Sequence, residues 1–480
     1  MDTPLYTALM KHAHRNTYSF HVPGHHNGDV FFDEAKSVYQ SLLSIDMTEI
    51  TGLDDLHHPT GVIKEAQDLV SRFYGSQESF FLVNGTTAGN LAMILAVCEP
   101  GEPGEPILIQ RNCHKSVFHA AALAGAKPVY LAPEIDENMH VPAHVSLSVI
   151  EKALASYPNA KGLVLTNPTY YGHAADLTAA VNKAHSYGVP VLVDEAHGAH
   201  FVLGQPFPPS SLAMGADAVV QSAHKTLPAM TMGSYFHLNS TRIDRDRLTY
   251  YVSSLQSSSP SYPIMASLDT ARAYVQDIAE KGTLPVHMER IEKIKRKFAS
   301  ISSIEIIEPS GYGLRADPLK LILRSKLGHS GYSLQRILES EGIVAELADE
   351  YQVLLVLPIG GRRMIEQATV RNIQQKLEDT PPDKLPDAVN WTFPSISTLE
   401  YPQNEMRKFT KEPADINKAA GRLHAGNIIP YPPGIPLIMD GERITEEIVQ
   451  KLSRLIGMDA HIQGLLNGEQ LLVYIEEEKS

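Results

Sequence analysis

The sequence predicts an α/β protein, with a large domain on a mostly parallel, seven-stranded sheet, a smaller α/β domain and a C-terminal α+β domain. Three observations predict it. Short apolar runs alternate with helical patterns from about residue 80 to 240, the pattern of a parallel sheet covered on both faces. Nearly every residue suited to chemistry in that stretch stands at the end of an apolar run, where open α/β sheets bind their ligands. Hydrophobic residues make up 43% of the 480 and charged residues 20%, a globular balance that fills a large core.

The strands follow in order. Phe80-Phe81-Leu82-Val83 is the first, followed by a Gly-Thr turn and a helix through LAMILAVC. Ile107-Leu108-Ile109 is the second, with HKSVFHAAALAGA as its helix. Pro128 to Leu131, Gly162 to Thr166, Pro190 to Val193, Ala218 to Val220 and Ser234 to Leu238 complete the seven. A helical stretch around residues 263–300 leads out of this domain. Ile304 to Ile307, Leu321 to Leu323, a helix near Ser333 to Glu341 and Val353 to Leu357 form the smaller α/β unit. Residues 380–386, with two prolines in sequence and a third at the end, make a linker. The C-terminal unit holds the Pro-rich IIPYPPGIP and a helix near Thr445 to Ile456. The expected division is an N-terminal arm over 1–20, a large domain over 21–290, a small domain over 291–380 and a C-terminal domain over 381–480.

The formal net charge of -14 argues against broad nucleic-acid binding and mildly favours cationic small molecules. An ordinary acidic cytosolic protein carries the same charge. No run of about 18 apolar residues predicts a membrane span, and the N-terminus lacks the layout of a secretory signal. Two cysteines, Cys98 and Cys113, make no disulfide framework. A cytoplasmic location is expected.

Four local features carry the chemistry. Asn84-Gly85-Thr86-Thr87 joins a strand to a helix. Glycine lets the backbone approach an anion, and the helix N-terminus offers free N–H groups. Alone, it is more often a plain capped turn. Val191 to His197 ends a strand with Asp194-Glu195-Ala196-His197. A carboxylate there needs a cationic partner, and the protonated ring nitrogen of a pyridine cofactor would be one. Asp-Glu-Ala-His is also a helicase signature, but the chain has no phosphate loop of the form Gly-x-x-x-x-Gly-Lys followed by Ser or Thr. A metal site on His197 and His200 lacks an obvious third ligand. Ser222-Ala223-His224-Lys225 comes next, its lysine 31 residues after Asp194, room for one helix and one strand. A lysine desolvated near a cation becomes a nucleophilic amine; a lone tetrapeptide of this kind is usually a solvated loop. Arg111 to Lys115 puts His114 at a strand end, where it could lie flat on an aromatic ring or simply cap a helix.

Together these motifs resemble the Orn/Lys/Arg decarboxylase family, fold-type-I pyridoxal phosphate enzymes. Further matches run along the chain: Phe20 to His25, Leu53 to His57, Thr166 to Gly172, Pro430 to Pro436 and Gly441-Glu442. The resemblance implies a fold-type-I large domain that binds pyridoxal 5'-phosphate. It implies Lys225 as Schiff-base lysine, Asp194 as partner of the pyridine nitrogen and His114 stacked on the ring. Gly85, Thr86, Thr87, Ser222 and His224 are the implied phosphate site, with His197 close to the cofactor. Lys225 or His224 would return the proton to Cα. Glu442 is similar to a family glutamate near the substrate, although Asp440 stands where relatives often have proline.

The layout is similar to the compact Gram-positive members without a wing domain. It implies a homodimer with the site near the subunit interface, and a basic amino acid as substrate, arginine before lysine or ornithine. Asp54 and Asp55 are further candidates to meet the distal cation. No metal is implied. The competing readings are transamination, with Arg315, Arg324, Arg362 or Arg363 clamping the carboxylate, and a catalytically idle regulator.

Overall fold

The computed structural model describes the chain except residues 16–17, 99–103, 312, 362, 384–393, 402, 407, 431–435, 459 and 477–480. Arg362, Tyr431 to Ile435 of the Pro-rich motif and the end of the 380–386 linker therefore lie outside the described residues. The chain packs as two compact units, each from two segments: residues 1–97 with 190–285, and 98–189 with 286–480.

The first unit contains strands Glu78–Leu82, Val191–Asp194, Ala218–Gln221 and Ser234–Leu238. Val191–Asp194 and Ala218–Gln221 run parallel, and Ser234–Leu238 lies antiparallel between Ala218–Gln221 and Glu78–Leu82. The strands are almost wholly buried, which explains why they read as apolar runs rather than alternating ones. Helix Gly85–Val97 buries residues around most of its circumference. It can pack so closely because residue 89 is glycine: a Cβ there would sit 2.6 Å from Val220 and 2.8 Å from Leu82. Helix Val62–Tyr74 instead buries one stripe, Ile63, Ala66, Gln67, Val70, Ser71 and Tyr74, the spacing of an amphipathic surface helix. It ends at Gly75 with φ +75°, the left-handed stop that favours glycine.

The second unit contains the parallel strands Pro106–Gln110, Lys127–Leu131 and Leu163–Thr166. With the four above, all seven expected strands are present. An eighth, Ile396–Thr398, was not expected; it pairs antiparallel with Lys127–Leu131. A separate antiparallel sheet orders Ile304–Ile307, Lys320–Ser325, Gln352–Val356 and Leu347–Ala348. Near the C-terminus, Lys411–Asp415 pairs with Gln470–Tyr474. Helix Glu446–Gly457 buries Ile448, Val449, Leu452 and Leu455 in a core shared with Ile428, Ile438 and Leu471.

The helical stretch expected over 263–300 is two helices, Tyr262–Glu280 and Leu284–Ala299. Gly282 between them has φ +62°, which a continuing helix does not allow. Cys98 and Cys113 are both buried and form no disulfide. Among the described residues no helix is long and apolar enough to cross a membrane.

Candidate active site

Gly85, Thr86, Thr87, Asp194, His197, Ser222, His224 and Lys225 fall in the first unit, and His114 and Glu442 in the second. In the first unit, Gly85 turns the chain from strand into helix with φ +71°. Thr86, in the first turn of that helix, places its hydroxyl 3.0 Å from that of Ser222. Thr87 is exposed. Two hydroxyls beside a helix N-terminus make a cradle for an anion, such as a phosphate ester.

Asp194 closes its strand 3% exposed. Its carboxylate accepts from the amide of Asn90 at 2.8 Å and from the backbone N–H of Ala196 at 3.1 Å. Both of these donors are neutral groups. Sequence reasoning missed Asn90. The available signal was an asparagine in an apolar helix four residues after Thr86, hence on the same face.

Lys225 follows on a short helical turn, Ala223–Thr226. Its amine lies 3.0 Å from Nε2 of His197, which is 5% exposed. His224 points Nδ1 at the carbonyl of Gly233, 3.0 Å away. The structure thus brings five expected residues into two contacts and one strand end: Thr86 with Ser222, Lys225 with His197, and Asp194 on Asn90. His200, weighed with His197 as a metal ligand, is fully buried between the rings of Phe201 and Phe207, with centroids 4.8 and 4.7 Å away.

Glu195, the residue after the strand, takes other partners than Asp194, namely Ser210, Ser211 and Gln221. It is fully buried, and burial pushes its carboxyl up to about 7 despite donors from Ser211, Gln221 and Ser210. Sequence alone drew no role for it.

Asp54 offers no free carboxylate for a substrate cation. It accepts from the backbone N–H groups of Asp55, Thr60, Gly61, Ile63 and Lys64. Gly61 has no side chain to cap helix Val62–Tyr74, and Asp54 reaches over to do so. Those donors hold its carboxyl below the usual range, against the opposing effect of burial, the largest single influence. Asp55 accepts from the backbone N–H of His57 at 2.8 Å.

In the second unit, His114 is the N-cap of helix Lys115–Ala124. Its Nδ1 accepts from the Ser116 N–H at 3.3 Å and lies 2.8 Å from the Ser116 hydroxyl. Glu442 takes a forked contact from Arg111, at 3.0 Å from Nε and 2.6 Å from Nη2. It also accepts from the backbone N–H of Met439 at 2.9 Å. Arg111 donates as well to the carbonyls of Pro436 and Leu437. A substrate cation at Glu442 would have to compete with this guanidinium. Of the possible carboxylate clamps, Arg324 is held by the Asn138 carbonyl and Gln352, both at 2.8 Å, while Arg315 and Arg363 are exposed.

Residues 3–314 and 312–365 match the major domain of the Orn/Lys/Arg decarboxylases, and residues 396–470 match their C-terminal domain. The chain belongs to the Orn/Lys/Arg decarboxylase family. Among its relatives is the uncharacterized protein YaaO of Bacillus subtilis (strain 168), 64% identical over 483 residues and covering 100% of both chains. The arginine decarboxylase of the same organism is 36% identical over 479 residues, 96% of this chain and 95% of that one. Among solved structures, the E. coli constitutive lysine decarboxylase superposes with a TM-score of 0.78 at 20% identity, over 99% of this chain and 82% of that one. At that identity the likeness shows the fold, which is the fold-type-I architecture that the family resemblance implies.

Proposed function

We propose that this member of the family is a pyridoxal phosphate-dependent decarboxylase of a basic L-amino acid, with arginine favoured over lysine and ornithine. The observation that carries the reading is the grouping, within one packed unit, of a buried carboxylate, a lysine amine and a hydroxyl-lined helix N-terminus. These donors fit the cofactor. The Thr86 and Ser222 hydroxyls and the N–H groups after Gly85 suit its phosphate, with Thr87 and His224 beside them. Asp194 suits its ring nitrogen, and Lys225 its aldehyde carbon. Bound there, pyridoxal phosphate would supply an electron sink for the pair left when a carboxylate departs as carbon dioxide.

The chain's own residues do the rest. Asp194 holds a proton at the ring nitrogen, so that the ring stays cationic. His114 is proposed to lie against the ring and limit its tilt. His197, in contact with the Lys225 amine, orients it and accepts its hydrogen bond. Lys225 or His224 then delivers a proton to the substrate Cα. Arginine is favoured because the relatives at 35–36% identity over most of the chain are named arginine decarboxylases. Glu442 is proposed to lie near the substrate while paired with Arg111. A homodimer is supported by the apolar side chains exposed near the N-terminus, Tyr18, Phe20, Val22, Phe32 and Val38. Two buried cysteines outside any disulfide suit a cytoplasmic enzyme.

The test is to incubate purified protein and cofactor with arginine, lysine and ornithine and to identify the products. Carbon dioxide with agmatine is expected. A keto acid without carbon dioxide would replace the reading with transamination, and no visible cofactor band would point to an idle relative. Borohydride reduction and peptide mapping should place the label on Lys225; a label elsewhere overturns that assignment.

A further inference from the structure

A thread of buried polar side chains crosses the four strands of the first unit. Glu195 accepts from the Ser211 N–H at 2.6 Å, the Ser210 hydroxyl at 2.9 Å and the Gln221 amide at 2.6 Å. The carbonyl end of Gln221 lies 3.1 Å from Nε2 of His237. Nδ1 of His237 lies 2.8 Å from the Ser79 hydroxyl, which is 2.8 Å from that of Ser76. Glu195, Gln221 and His237 are each 0% exposed and Ser79 is 2% exposed. Tyr74 stacks on His237 with centroids 4.9 Å apart and donates its hydroxyl to the carbonyl of Ala199.

The direction of every hydrogen bond in the thread follows from one end. An ionised carboxylate only accepts, so the Gln221 NH2 must point to Glu195 and its carbonyl to His237. Burial holds His237 down at about 3, so its ring is neutral and has one N–H. That proton is on Nε2, and Nδ1 accepts from Ser79. Protonating Glu195 does not reverse the thread, since the new O–H can donate to Ser210 while Gln221 still donates to the same carboxyl.

The thread touches the proposed site through the chain itself. Glu195 is the residue after Asp194, and Gln221 the residue before Ser222. Their bond is a side-chain link between the two turns that carry Asp194 and His197 on one side and Ser222 and Lys225 on the other. Room for Glu195 is also reserved: a Cβ on residue 198 would sit 2.5 Å from its Cγ, and residue 198 is glycine.

We propose that Glu195 and Gln221 are positioning residues, a buried strut that fixes the spacing of the two turns and with it the Lys225–His197 contact. The functional half of this inference rests on the proposed cofactor reading. The hydrogen-bond half does not.

The experiment compares Glu195→Gln, Gln221→Glu and the double swap with the parent protein. With Glu195→Gln alone, two NH2 groups face each other unless Gln221 turns over. Turning it over moves the His237 proton to Nδ1. In the double swap, residue 221 becomes the carboxylate, accepts from both neighbours and restores Nε2–H. Long-range proton–nitrogen NMR of histidine-labelled, cofactor-free protein, with His237 assigned through His237→Gln, reads the tautomer. Titration with pyridoxal phosphate reads the site. Glu195→Gln should move the tautomer and weaken cofactor binding about tenfold or more, and the swap should recover most of both. Ser210→Ala, which spares the strut, should change neither. An unmoved tautomer in Glu195→Gln, or a swap no better than the single variants, overturns the strut. If the parent protein binds no cofactor, the reading of the site fails while the tautomer result still decides the thread.

Discussion

Asp194 sits in a nearly dry position, its carboxyl group accepting from Asn90 and the Ala196 N–H. An asparagine in its place fits the same space but keeps one acceptor oxygen for these two donors, and it cannot hold a proton at a ring nitrogen. Asp194→Asn should therefore still bind pyridoxal phosphate while turnover falls roughly 100-fold or more, the size expected for losing a preorganised charge. Steady-state rates on the cofactor-saturated variant check this, and parent-like turnover would refute the role.

The carboxyl beside it makes a separate pH prediction. The folded value of Glu195, about 7, lies above its ordinary 4.5. Its contribution to stability is therefore full below about pH 4.5 and is lost as pH rises through about 7, a change of roughly 3 kcal/mol. Urea unfolding at pH 5 and pH 8 should show that loss in the parent protein and a flatter response in Glu195→Gln. Equal slopes would mean that Glu195 does not titrate in this range. Asp194 and Lys225 stood out in the sequence because Asp194 ends an apolar run and Lys225 follows one within a few residues. Glu195 did not, because its partners Ser210, Ser211 and Gln221 lie outside any local pattern.

Helix Gly85–Val97 shows how an element fixes the site it begins. Alanine at Gly89 gains up to about 1 kcal/mol in helix propensity. It also places a Cβ 2.6 Å from Val220 and 2.8 Å from Leu82, and overpacking of that kind costs about 1–3 kcal/mol. The clash outweighs the propensity, so Gly89→Ala should lower the thermal midpoint and weaken cofactor binding. A stabilised variant would show that the helix moves freely off its strands.

The segment containing Glu442 is held by a different device. Arg111 and Glu442 have side chains only 6% and 21% exposed. Arg111→Met leaves a half-buried carboxylate without its cation, at a cost of about 3 kcal/mol or more. Glu442→Gln should cost less, since Arg111 keeps the Pro436 and Leu437 carbonyls. A double-mutant cycle should give a coupling of at least about 1 kcal/mol, and additive losses would show that the pair does not act as a unit. The seven strands expected over residues 80–240 were legible because burial makes them nearly continuous apolar runs. Ile396–Thr398 was not: it is short and only partly buried, and its pairing with Lys127–Leu131 spans more than 260 residues. The Arg111–Glu442 pair, 331 residues apart, is invisible to any local pattern for the same reason.

At the scale of the whole molecule, the apolar surface is unevenly spread. Tyr18 and Phe20 are 92% and 90% exposed, and Val22, Val30, Phe32 and Val38 are each at least 60% exposed. Six large apolar side chains are thus exposed within 21 residues of chain, and apolar surface left in water in such quantity suits an association site. A second copy of the chain is the occupant that the proposed dimer supplies. Two of these residues lie in or beside the Phe20 to His25 motif, which the family resemblance singles out although the first unit gives Phe20 almost no cover. Phe20→Glu combined with Val38→Asp puts two like charges on this segment and, by symmetry, four into an isologous interface built on it. Sedimentation should then show a monomer where a dimer is expected of the parent protein, and decarboxylation should fall with it if the partner completes the site. A variant that stays dimeric would move the interface elsewhere. One that becomes monomeric with full activity would keep the interface but place the whole site within a single chain.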